Sequence, residues 1–200
     1  TKVVEMEAFG HTAFILPQAT REAVGGIEWM RPHFMKENGD LIMSIHALIV
    51  ETPDRRIIVD TCIGNDKPRE MERWNMLDNP FLADLAAAGC PRESIDTVMC
   101  THLHVDHVGW NTMLENGRWV PTFPNARYLM ARSEFDYWAT ETHDESQKTI
   151  LADSVRPVVD AGLSELVDTE HVICDEVRLI PTHGHTPGHV SVLISSKGEE

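Results

Sequence analysis

The most chemically informative segment is residues 101–109, THLHVDHVG, which places four side chains of metal-ligand type within six residues. His102 and His104 are two residues apart, so in an extended segment both imidazoles project to the same side of the chain. Two histidine nitrogens at that separation can hold one borderline-soft cation such as zinc. Asp106 and His107 follow where the chain must turn, and they could direct a second pair of ligands at an adjacent point. The pattern predicts a metal site.

A second cluster, residues 182–189 (THGHTPGH), also follows an apolar, strand-like run. Its glycines and proline make a tight turn that can hold one histidine in a fixed direction. A catalytic zinc takes three protein ligands and keeps a position for water, so one histidine from this segment would complete the site begun by the first cluster. The spacing alone does not say whether that residue is His183, His185 or His189.

A chance origin of the first cluster is the competing explanation. The pattern H-x-H-x-D-H would arise by chance about once in several hundred chains of this composition. A short histidine motif taken alone more often marks a loop hydrogen bond than a metal ligand. The pairing of the two clusters, each directly after an apolar run, is therefore what favours a metal site.

Both motifs, in this order, resemble those of the metallo-β-lactamase-fold metallohydrolases, in which H-x-H-x-D-H and a downstream G-H-T-P-G-H are hallmarks. An aspartate that ends an upstream strand is also usual in that family, and Val59-Asp60-Thr61 matches it. The resemblance runs from about Leu41 to the end of the chain. It implies an α/β fold, the αββα sandwich of that family, as one domain over residues 1–200.

The resemblance also implies roles for individual residues. The ligands of the first metal would be His102, His104 and His185. Asp106 and His107 would contribute to a second metal. Asp106 would in addition act in catalysis, by orienting the attacking hydroxide or by passing a proton to the leaving group.

Two further residues are expected to support the ligands without touching a metal. Asp60 would orient a ligand or its loop, as outer carboxylates do, although a strand-end aspartate that caps a turn is an equal alternative. His189 is expected to have a similar supporting role, and His183 a structural one.

The family normally supplies two more ligands after the second motif, an aspartate that bridges both metals and a last histidine. The chain ends eleven residues beyond His189, and neither ligand is among those residues. We therefore expect a chain truncated at its C-terminus, in which the first site closes and the second keeps two ligands of its own.

Hydropathy predicts the elements that position the first cluster. Residues 41–51 and 56–60 are apolar runs joined by turn chemistry, which indicates a hairpin. Asn79 is expected to cap a helix that starts at Pro80 and stops at Gly89. Residues 95–101 form a short buried strand, so the cluster lies at a strand's C-terminal end, where open α/β sheets bind ligands.

The later half alternates in the same way. A strand over 126–131 precedes a helix through Trp138, with Ser133 and Asp136 at capping-box spacing. A helical pattern over 150–159 should break or restart at Pro157. The remaining short strands are predicted over 172–174, 177–181 and 189–195. Interleaved strands and helices predict an α/β protein with helices covering one face of a mixed sheet.

The chemistry follows from the predicted metal. Zinc lowers the pKa of bound water to about 7, and no G-x-S-x-G nucleophile motif is present to suggest a covalent route. The Val-Gly-Trp continuation at 108–110 is most similar to lactonase-like and organophosphate-hydrolase-like members. We expect an enzyme, a metal-dependent hydrolase of small lactones or esters, with β-lactams and phosphotriesters as alternatives. Zinc is the expected cofactor, with two ions in the complete protein and iron or manganese as alternatives.

Two other functional classes stay open. One is a mononuclear iron dioxygenase of the same fold, which would use two histidines and an aspartate as its metal ligands. The other is a truncated or degenerate domain that binds without catalysis, a hypothesis motivated by the missing downstream ligands.

The composition excludes several classes of protein. An apolar content of 42% argues against disorder. No apolar run approaches the roughly 20 residues that span a bilayer. A net charge of −15 disfavours binding to nucleic acid. Four isolated cysteines and the lack of an apolar leader predict free thiols and a cytoplasmic protein. The expected partner is a small-molecule substrate, with homo-oligomer formation left open.

Two sets of apolar residues have both a functional and a packing interpretation. The residues that would line a pocket are Trp29, Met30, Phe34, Met35 and Trp110. The residues that would belong to a lid or an interface are Trp119, Val120 and Phe123. Ordinary packing is at least as good an explanation for each of them.

Overall fold

The structure is a computed structural model and describes residues 1–10, 17–140 and 144–199. Within them the chain forms eleven strands and six α-helices. The strands are β1 (Lys2–Gly10), β2 (Leu41–Glu51), β3 (Arg56–Val59), β4 (Thr97–Cys100), β5 (Thr112–Glu115), β6 (Arg118–Pro121), β7 (Arg127–Ala131), β8 (Ser164–Val167), β9 (Val172–Cys174), β10 (Val177–Pro181) and β11 (Val190–Ile194). The α-helices are α1 (Arg21–Gly25), α2 (Phe81–Ala87), α3 (Val105–Val108), α4 (Arg132–Trp138), α5 (Glu145–Ile150) and α6 (Arg156–Asp160).

Shorter helical turns complete the secondary structure. Single 3₁₀ turns are formed by Glu28–Met30, Glu72–Trp74, Arg92–Ser94 and Gly109–Asn111. A π-helical segment, Leu151–Val155, joins α5 to α6. None of the helices in the described part of the chain is long and apolar enough to cross a membrane.

The chain divides into two compact units, Val4–Ile45 and a larger one made of Thr1–Val3 with His46–Glu200. In the smaller unit, α1 starts at an N-cap threonine, Thr20, whose side chain accepts a hydrogen bond from the backbone N–H of Ala23 at 3.2 Å. Such a cap satisfies one of the free N–H groups at the start of a helix.

The larger unit contains a six-stranded sheet in the order β1-β2-β3-β4-β7-β8, with β1 and β2 represented there by residues 2–3 and 46–51. The predicted hairpin is confirmed, since β2 and β3 pair antiparallel with Leu48 opposite Val59. The strands β3, β4, β7 and β8 are parallel neighbours. A three-stranded antiparallel sheet has the order β11-β10-β9, and β5 pairs with β6 in a separate hairpin. Because β3, β4, β7 and β8 of the six-stranded sheet are parallel, their C-terminal ends lie at the same edge of that sheet.

The core of this unit lies between the two larger sheets. Its buried members come from both sheets, and they are Ile57, Val59, Met99, Leu129, Ala131, Val167, Val177, Leu179 and Val190. The alternate residues on the parallel strands, such as Ile58, Val98 and Met130, are also buried, as expected of strands covered on both faces. One face of the mixed sheet is therefore covered by a second sheet, in addition to the helices that the pattern predicts.

The predicted cap at Asn79 is wrong. Helix α2 begins at Phe81 after Pro80, and no side chain caps it. Asn79 instead exchanges hydrogen bonds with Asn65: its backbone N–H donates to Asn65 Oδ1 at 2.8 Å, and Asn65 Nδ2 donates to its carbonyl at 2.9 Å. The pair pins the preceding loop. The N-cap position of the helix is Pro80, whose side chain has no acceptor for a capping bond. Gly89, with a φ of 85°, follows the end of the helix as predicted.

The predicted capping box at Ser133 and Asp136 is also wrong. Helix α4 begins at Arg132, directly after β7, and has no side-chain cap, so Ser133 lies inside its first turn. The prediction at Pro157 is confirmed, since α6 starts at Arg156 with the proline in its first turn and follows the π-helical segment. A proline is tolerated there because the first N–H groups of a helix have no intrahelical acceptor.

Candidate metal centre

Strand β4 is buried along its whole length and delivers His102 to the sheet's C-terminal edge. Thr101, the residue between them, donates from its backbone N–H to Asp60 Oδ1 at 2.8 Å and from its hydroxyl to Asp60 Oδ2 at 2.8 Å. Its carbonyl accepts the N–H of Val190 at 3.1 Å. His102 is consequently held at a fixed point and is only 2% exposed.

Leu103 separates the two histidines of the first motif, and both of its peptide groups bind buried side chains. Its N–H donates to Glu134 Oε1 at 3.1 Å, and its carbonyl accepts from Gln147 Nε2 at 3.0 Å. Its own side chain is completely buried. The peptide between His102 and His104 is therefore fixed on every side, which pre-organises the two imidazoles.

His104 has extended backbone angles, φ −78° and ψ 162°, and stands immediately before α3. The chain turns there, as predicted, and α3 carries Asp106 and His107. The end of this short helix is held by backbone bonds: Thr61 N–H donates to the carbonyl of His107 at 2.8 Å, and Gly109 N–H donates to the carbonyl of Cys62 at 2.7 Å.

The second motif forms a closed loop between β10 and β11. Thr182 N–H donates to the carbonyl of His189 at 3.0 Å, which brings the two ends of the loop together. At Gly188 the backbone approaches α4 so closely that an added Cβ would lie 2.3 Å from the backbone nitrogen of Glu134. Only glycine fits this contact, and the loop is thereby positioned to present His185 to the first motif.

His102, His104 and His185 converge: one ligand nitrogen from each lies within 4.8 Å of the others. His104 Nδ1 and His185 Nε2 are 3.0 Å apart. Tetrahedral nitrogen ligands at 2.0–2.1 Å from zinc lie about 3.3 Å from one another. The spacing therefore fits a single cation with small side-chain adjustments.

An independent observation supports that fit. His102 Nε2 is buried and has no hydrogen-bond partner within the part of the chain that the structure describes. A buried polar atom without a partner costs about 1–3 kcal/mol, so such atoms are rare unless another group satisfies them. The residues present therefore suit a metal ion.

The electrostatics favour the form of histidine that binds metals. Burial, and then the neighbouring imidazoles, lower the pKa of His102 to about 2. Burial and the adjacent His185 also lower the pKa of His104. Both rings are thus neutral at physiological pH, and a neutral imidazole has the lone pair that a metal requires.

Asp60, Asp106 and His107 form a chain of contacts beside this group. Asp60 has a φ of 57°, in the left-handed region, and its Oδ2 lies 2.8 Å from His107 Nδ1. His107 Nε2 lies 3.5 Å from Asp106 Oδ2. Burial opposes a charge on His107, but the two carboxylates outweigh it and raise its pKa to about 10. Burial likewise opposes the charge of Asp106, yet His107 holds the pKa of that carboxyl below its ordinary value.

Asp60 thus contacts both Thr101, which precedes His102, and His107. His189 lies near the same group, with its ring centroid 4.9 Å from that of His102 and its Nδ1 2.8 Å from the hydroxyl of Thr182. These contacts agree with supporting roles for Asp60 and His189, which stay predictions.

His183 lies elsewhere on the second loop. It is exposed and lines a separate cavity of about 620 Å³ with Arg132 and Glu170. The structure thus brings His185 to the first motif and directs His183 away.

A cavity of about 330 Å³ adjoins the centre. Its lining combines acidic, apolar and polar side chains, namely Glu70, His104, Val105, Asp106, Trp138, Asp144, Ser146, Gln147 and Ile150. Trp138 also contacts His104 directly, with ring centroids 5.2 Å apart. The cavity is large enough for a small organic molecule that reaches His104 and Asp106.

The apolar residues considered for a pocket or a lid fall into different environments. Trp110 is buried and stacks on Phe81 at 5.5 Å, so it belongs to the core and does not line a pocket. Phe123 is also fully buried, which excludes it from an exposed lid. Trp119 carries the ammonium of Lys67 over its ring at 3.6 Å. In the smaller unit, Met35 is buried, Met30 is half-buried, and Trp29 and Phe34 are exposed and pack edge to face.

Sequence reasoning missed Glu134 and Gln147, which hold the peptide of Leu103. Glu134 and Gln147 lie 31 and 44 residues after Leu103, so no spacing within a short segment predicts these contacts. The sequence signal for Glu134 is its position three residues after the buried strand β7. Charged residues at such positions are too common to identify a functional glutamate.

The chain matches the family model of the metallo-beta-lactamase superfamily over residues 43–199. It is 26% identical over 172 residues to an N-acyl homoserine lactonase of a Bacillus species, covering 80% of this chain and 62% of the relative. A similar lactonase of Bacillus cereus is 25% identical over 175 residues, with the same coverage. The chain thus spans somewhat less than two thirds of the length of these curated relatives.

Solved structures show the same fold. The dizinc quorum-quenching lactonase AidC superimposes with a TM-score of 0.72 and 21% identity, covering 99% of this chain and 67% of the other. A probable metal-dependent hydrolase of Staphylococcus aureus has a TM-score of 0.72 and 20% identity, covering 99% and 69%. These likenesses confirm the α/β fold that the two motifs predict.

Proposed function

The chain belongs to the metallo-beta-lactamase superfamily, as its paired motifs predict, and on that premise we propose that it is a metal-dependent hydrolase of small, uncharged lactones or esters. The observation that carries the proposal is the convergence of His102, His104 and His185, in which one nitrogen from each lies within 4.8 Å of the others. His102 Nε2 is buried and lacks a hydrogen-bond partner among the described residues. Three converging histidines at the C-terminal end of a sheet suit a catalytic metal that keeps a position open for water.

In this proposal His102, His104 and His185 hold the first metal, and Asp106 and His107 are two of the ligands of a second. His107 would lose its proton when that metal binds, since its pKa of about 10 keeps the metal-free ring protonated at neutral pH. Bound zinc supplies hydroxide at neutral pH and stabilises the negative charge that develops on a carbonyl oxygen. Zinc is favoured because histidine nitrogens with one carboxylate are ligands it takes readily. Zinc, a second ion and a cytoplasmic location stay predictions.

Asp106 has a second role in the proposal. It stands in the first turn of α3, lines the cavity next to His104, and is 3.5 Å through Oδ2 from His107 Nε2. A carboxylate there can accept a hydrogen bond from the attacking water and pass the proton on to the leaving oxygen. The contact with His107 limits its motion, so the proton acceptor is held at the wall of the cavity beside His104.

The charges around the cavity favour uncharged substrates. Apart from the proposed metal ligands His104 and Asp106, the charged side chains that line it are the carboxylates of Glu70 and Asp144. A β-lactam that carries a carboxylate would meet these like charges, whereas a lactone or simple ester would not. One unit charge acting on another at 4 Å costs about 1 kcal/mol in water, or about fivefold in affinity. The names of the Bacillus relatives, N-acyl homoserine lactonases, agree with this preference.

The first test combines metal analysis with a substrate screen on the full-length protein. We expect bound zinc and hydrolysis of lactones or esters in preference to β-lactams and phosphotriesters. Bound iron with oxygen consumption would replace the proposal by a dioxygenase. A metal-loaded protein that hydrolyses none of the four substrate classes would instead favour a binding domain.

The charge argument has its own test, the variant Glu70→Gln. We expect its kcat/KM for an anionic β-lactam, relative to that for a neutral lactone, to rise a few-fold, up to about fivefold. Glu72→Gln is the matched control, because Glu72 is exposed on the same loop but does not line the cavity. Equal ratios in the two variants would contradict a selective role for the cavity's charge.

Asp106→Ala tests the proposed proton acceptor. The three histidines remain intact in this variant, so we expect the first metal to stay bound while turnover is lost. Metal content and kcat measured on the same sample separate the two effects. Retained turnover would refute the role of Asp106.

A further inference from the structure

Glu134 is a buried carboxylate placed between the two histidine-bearing segments. It is 1% exposed and lies in the first turn of α4. Three N–H groups donate to it: the backbone of Leu103 at 3.1 Å and Trp138 Nε1 at 2.7 Å reach Oε1, and the backbone of Gly188 at 2.9 Å reaches Oε2. All three bonds are charge-assisted, a class about twice as strong as neutral hydrogen bonds.

Each donor is joined to one of the converging histidines. Leu103 stands between His102 and His104 in the first motif. Gly188 follows His185 by three residues in the second motif. Trp138 places its ring against that of His104, with centroids 5.2 Å apart. The side chain of Glu134 thus connects the two loops that carry His104 and His185, which are 81 residues apart in the sequence.

The two oxygens divide this work. Oε1 binds the first motif and the tryptophan, and Oε2 binds the second motif. A carboxylate can accept on both oxygens, whereas a glutamine of the same shape has one acceptor oxygen and one NH₂ donor. In Glu134→Gln, the side-chain NH₂ would face the backbone N–H of Leu103 or of Gly188, and two donors cannot form a hydrogen bond. The connection therefore depends on the carboxylate and not only on its volume.

We propose that Glu134 is a positioning residue for the metal centre: it sets the distance between His185 and the His102–His104 pair, and through it the affinity and coordination geometry of the bound metal. The inference rests on the metal binding proposed above. It adds a residue that belongs to neither motif and that does not touch the metal.

The test compares Glu134→Gln with the unmodified chain by titration with cobalt(II), followed through the cobalt absorption spectrum, and by competition for zinc with a chelator. We expect metal affinity to fall about 10- to 100-fold, the range observed when a partner of a ligand is lost. We also expect the cobalt bands to change, because the angle between the ligands changes. Asp153→Asn is the matched control, since Asp153 is another buried carboxylate, bound to Lys67 and Arg69 instead of the histidine loops.

The control should lose stability but keep the affinity and spectrum of the unmodified chain. A Glu134→Gln variant that binds cobalt as tightly, with the same spectrum, would overturn the positioning role. If the unmodified chain itself bound neither cobalt nor zinc, the proposed function would fail instead. Should Glu134→Gln not fold, Trp138→Phe removes one donor and keeps a ring beside His104. A smaller loss of affinity with a shifted spectrum is then expected, and unchanged binding would refute the proposal.

Discussion

Gly109 offers a direct test of how the candidate site is held, because it follows α3 and lies against the loop after β3. An added Cβ would lie 1.8 Å from the carbonyl oxygen of Ile63, 1.9 Å from its carbonyl carbon and 2.6 Å from the nitrogen of Gly64. Backbone atoms cannot rotate away as a side chain can. Gly109→Ala must therefore separate the two segments.

The size of the effect follows from these contacts. Carbon and oxygen atoms in contact lie about 3.5–4.0 Å apart, so the segments must part by well over 1 Å. Two backbone bonds join the same segments, from Gly109 to Cys62 and from Trp110 to Thr61, both at 2.7 Å. Overpacking costs about 1–3 kcal/mol and each lost hydrogen bond about 0.5–1.5 kcal/mol. Together they lower the free energy of unfolding by about 2–6 kcal/mol.

Function should suffer with stability, because α3 carries Asp106 and His107. A displacement of about 1 Å in a reacting group can cost about 100-fold in rate. The assays are urea denaturation and turnover of whichever lactone or ester the full-length protein hydrolyses. We expect the folded fraction of Gly109→Ala to turn over at least tenfold more slowly than the unmodified protein, by the same argument.

Two alanine variants serve as controls for Gly109→Ala. Gly25→Ala adds a Cβ with nothing within 4 Å, so its stability should change by less than about 0.5 kcal/mol. Gly89→Ala also meets nothing within 4 Å but has a φ of 85°, which isolates the cost of backbone strain. If Gly109→Ala unfolded at the same urea concentration as Gly25→Ala, the close approach of the two segments would be refuted.

Three further predictions concern buried charge and metal binding. Asp153→Asn should lower the free energy of unfolding by about 3–5 kcal/mol, because Lys67 and Arg69 then lose their buried counter-charge. Asp160 is exposed, so Asp160→Asn should leave the free energy of unfolding, measured with urea in the same way, close to that of the unmodified protein. Burial lowers the pKa of Lys67 from 10.5 to about 7 although Asp153 opposes the shift. The folded state then binds fewer protons than the unfolded state between these values, so the contribution of Lys67 to stability rises with pH across that window. In Lys67→Met, the free energy of unfolding should rise less steeply with pH than in the unmodified protein. If the two proteins gave parallel curves against pH, the shift in the pKa of Lys67 would be contradicted. Zinc at 100 times its Kd should add about 2.7 kcal/mol to stability, and His185→Ala at the same zinc concentration should lose most of that gain.

The three converging histidines could largely be predicted, because the spacing of side chains within a short segment is a local property. Two histidines at alternate positions after an apolar run require only strand geometry to share a side. That run became β4, whose parallel neighbours place its end at the ligand-binding edge of the sheet. The choice of His185 over His183 needed the family resemblance, because the turn alone permits either. The structure makes the same choice through the contact at Gly188.

The parts that could not be predicted depend on partners far away in the chain. The hairpin of β5 and β6 has no strong alternation of polar and apolar residues, and β8 is a short run whose pairing with β7 decides its conformation. The predicted cap at Asn79 failed because the helix begins one residue later, which puts Pro80, a residue without a side-chain acceptor, at the N-cap position. Local patterns describe what a segment can do alone, and tertiary contacts select among those options.

The surroundings of the three histidines explain why they face one another at all. His102 Nε2 is buried and has no hydrogen-bond partner among the described residues, which is unfavourable without a cation. The chain nevertheless holds the three histidines in place through Asp60, Glu134 and Gln147, each of which binds backbone next to a histidine. The histidine side chains therefore lose most of their conformational entropy when the protein folds, and little more is lost when a cation binds. On the proposed function, rigid supports raise metal affinity, so weakening a support should lower that affinity even where every ligand is intact.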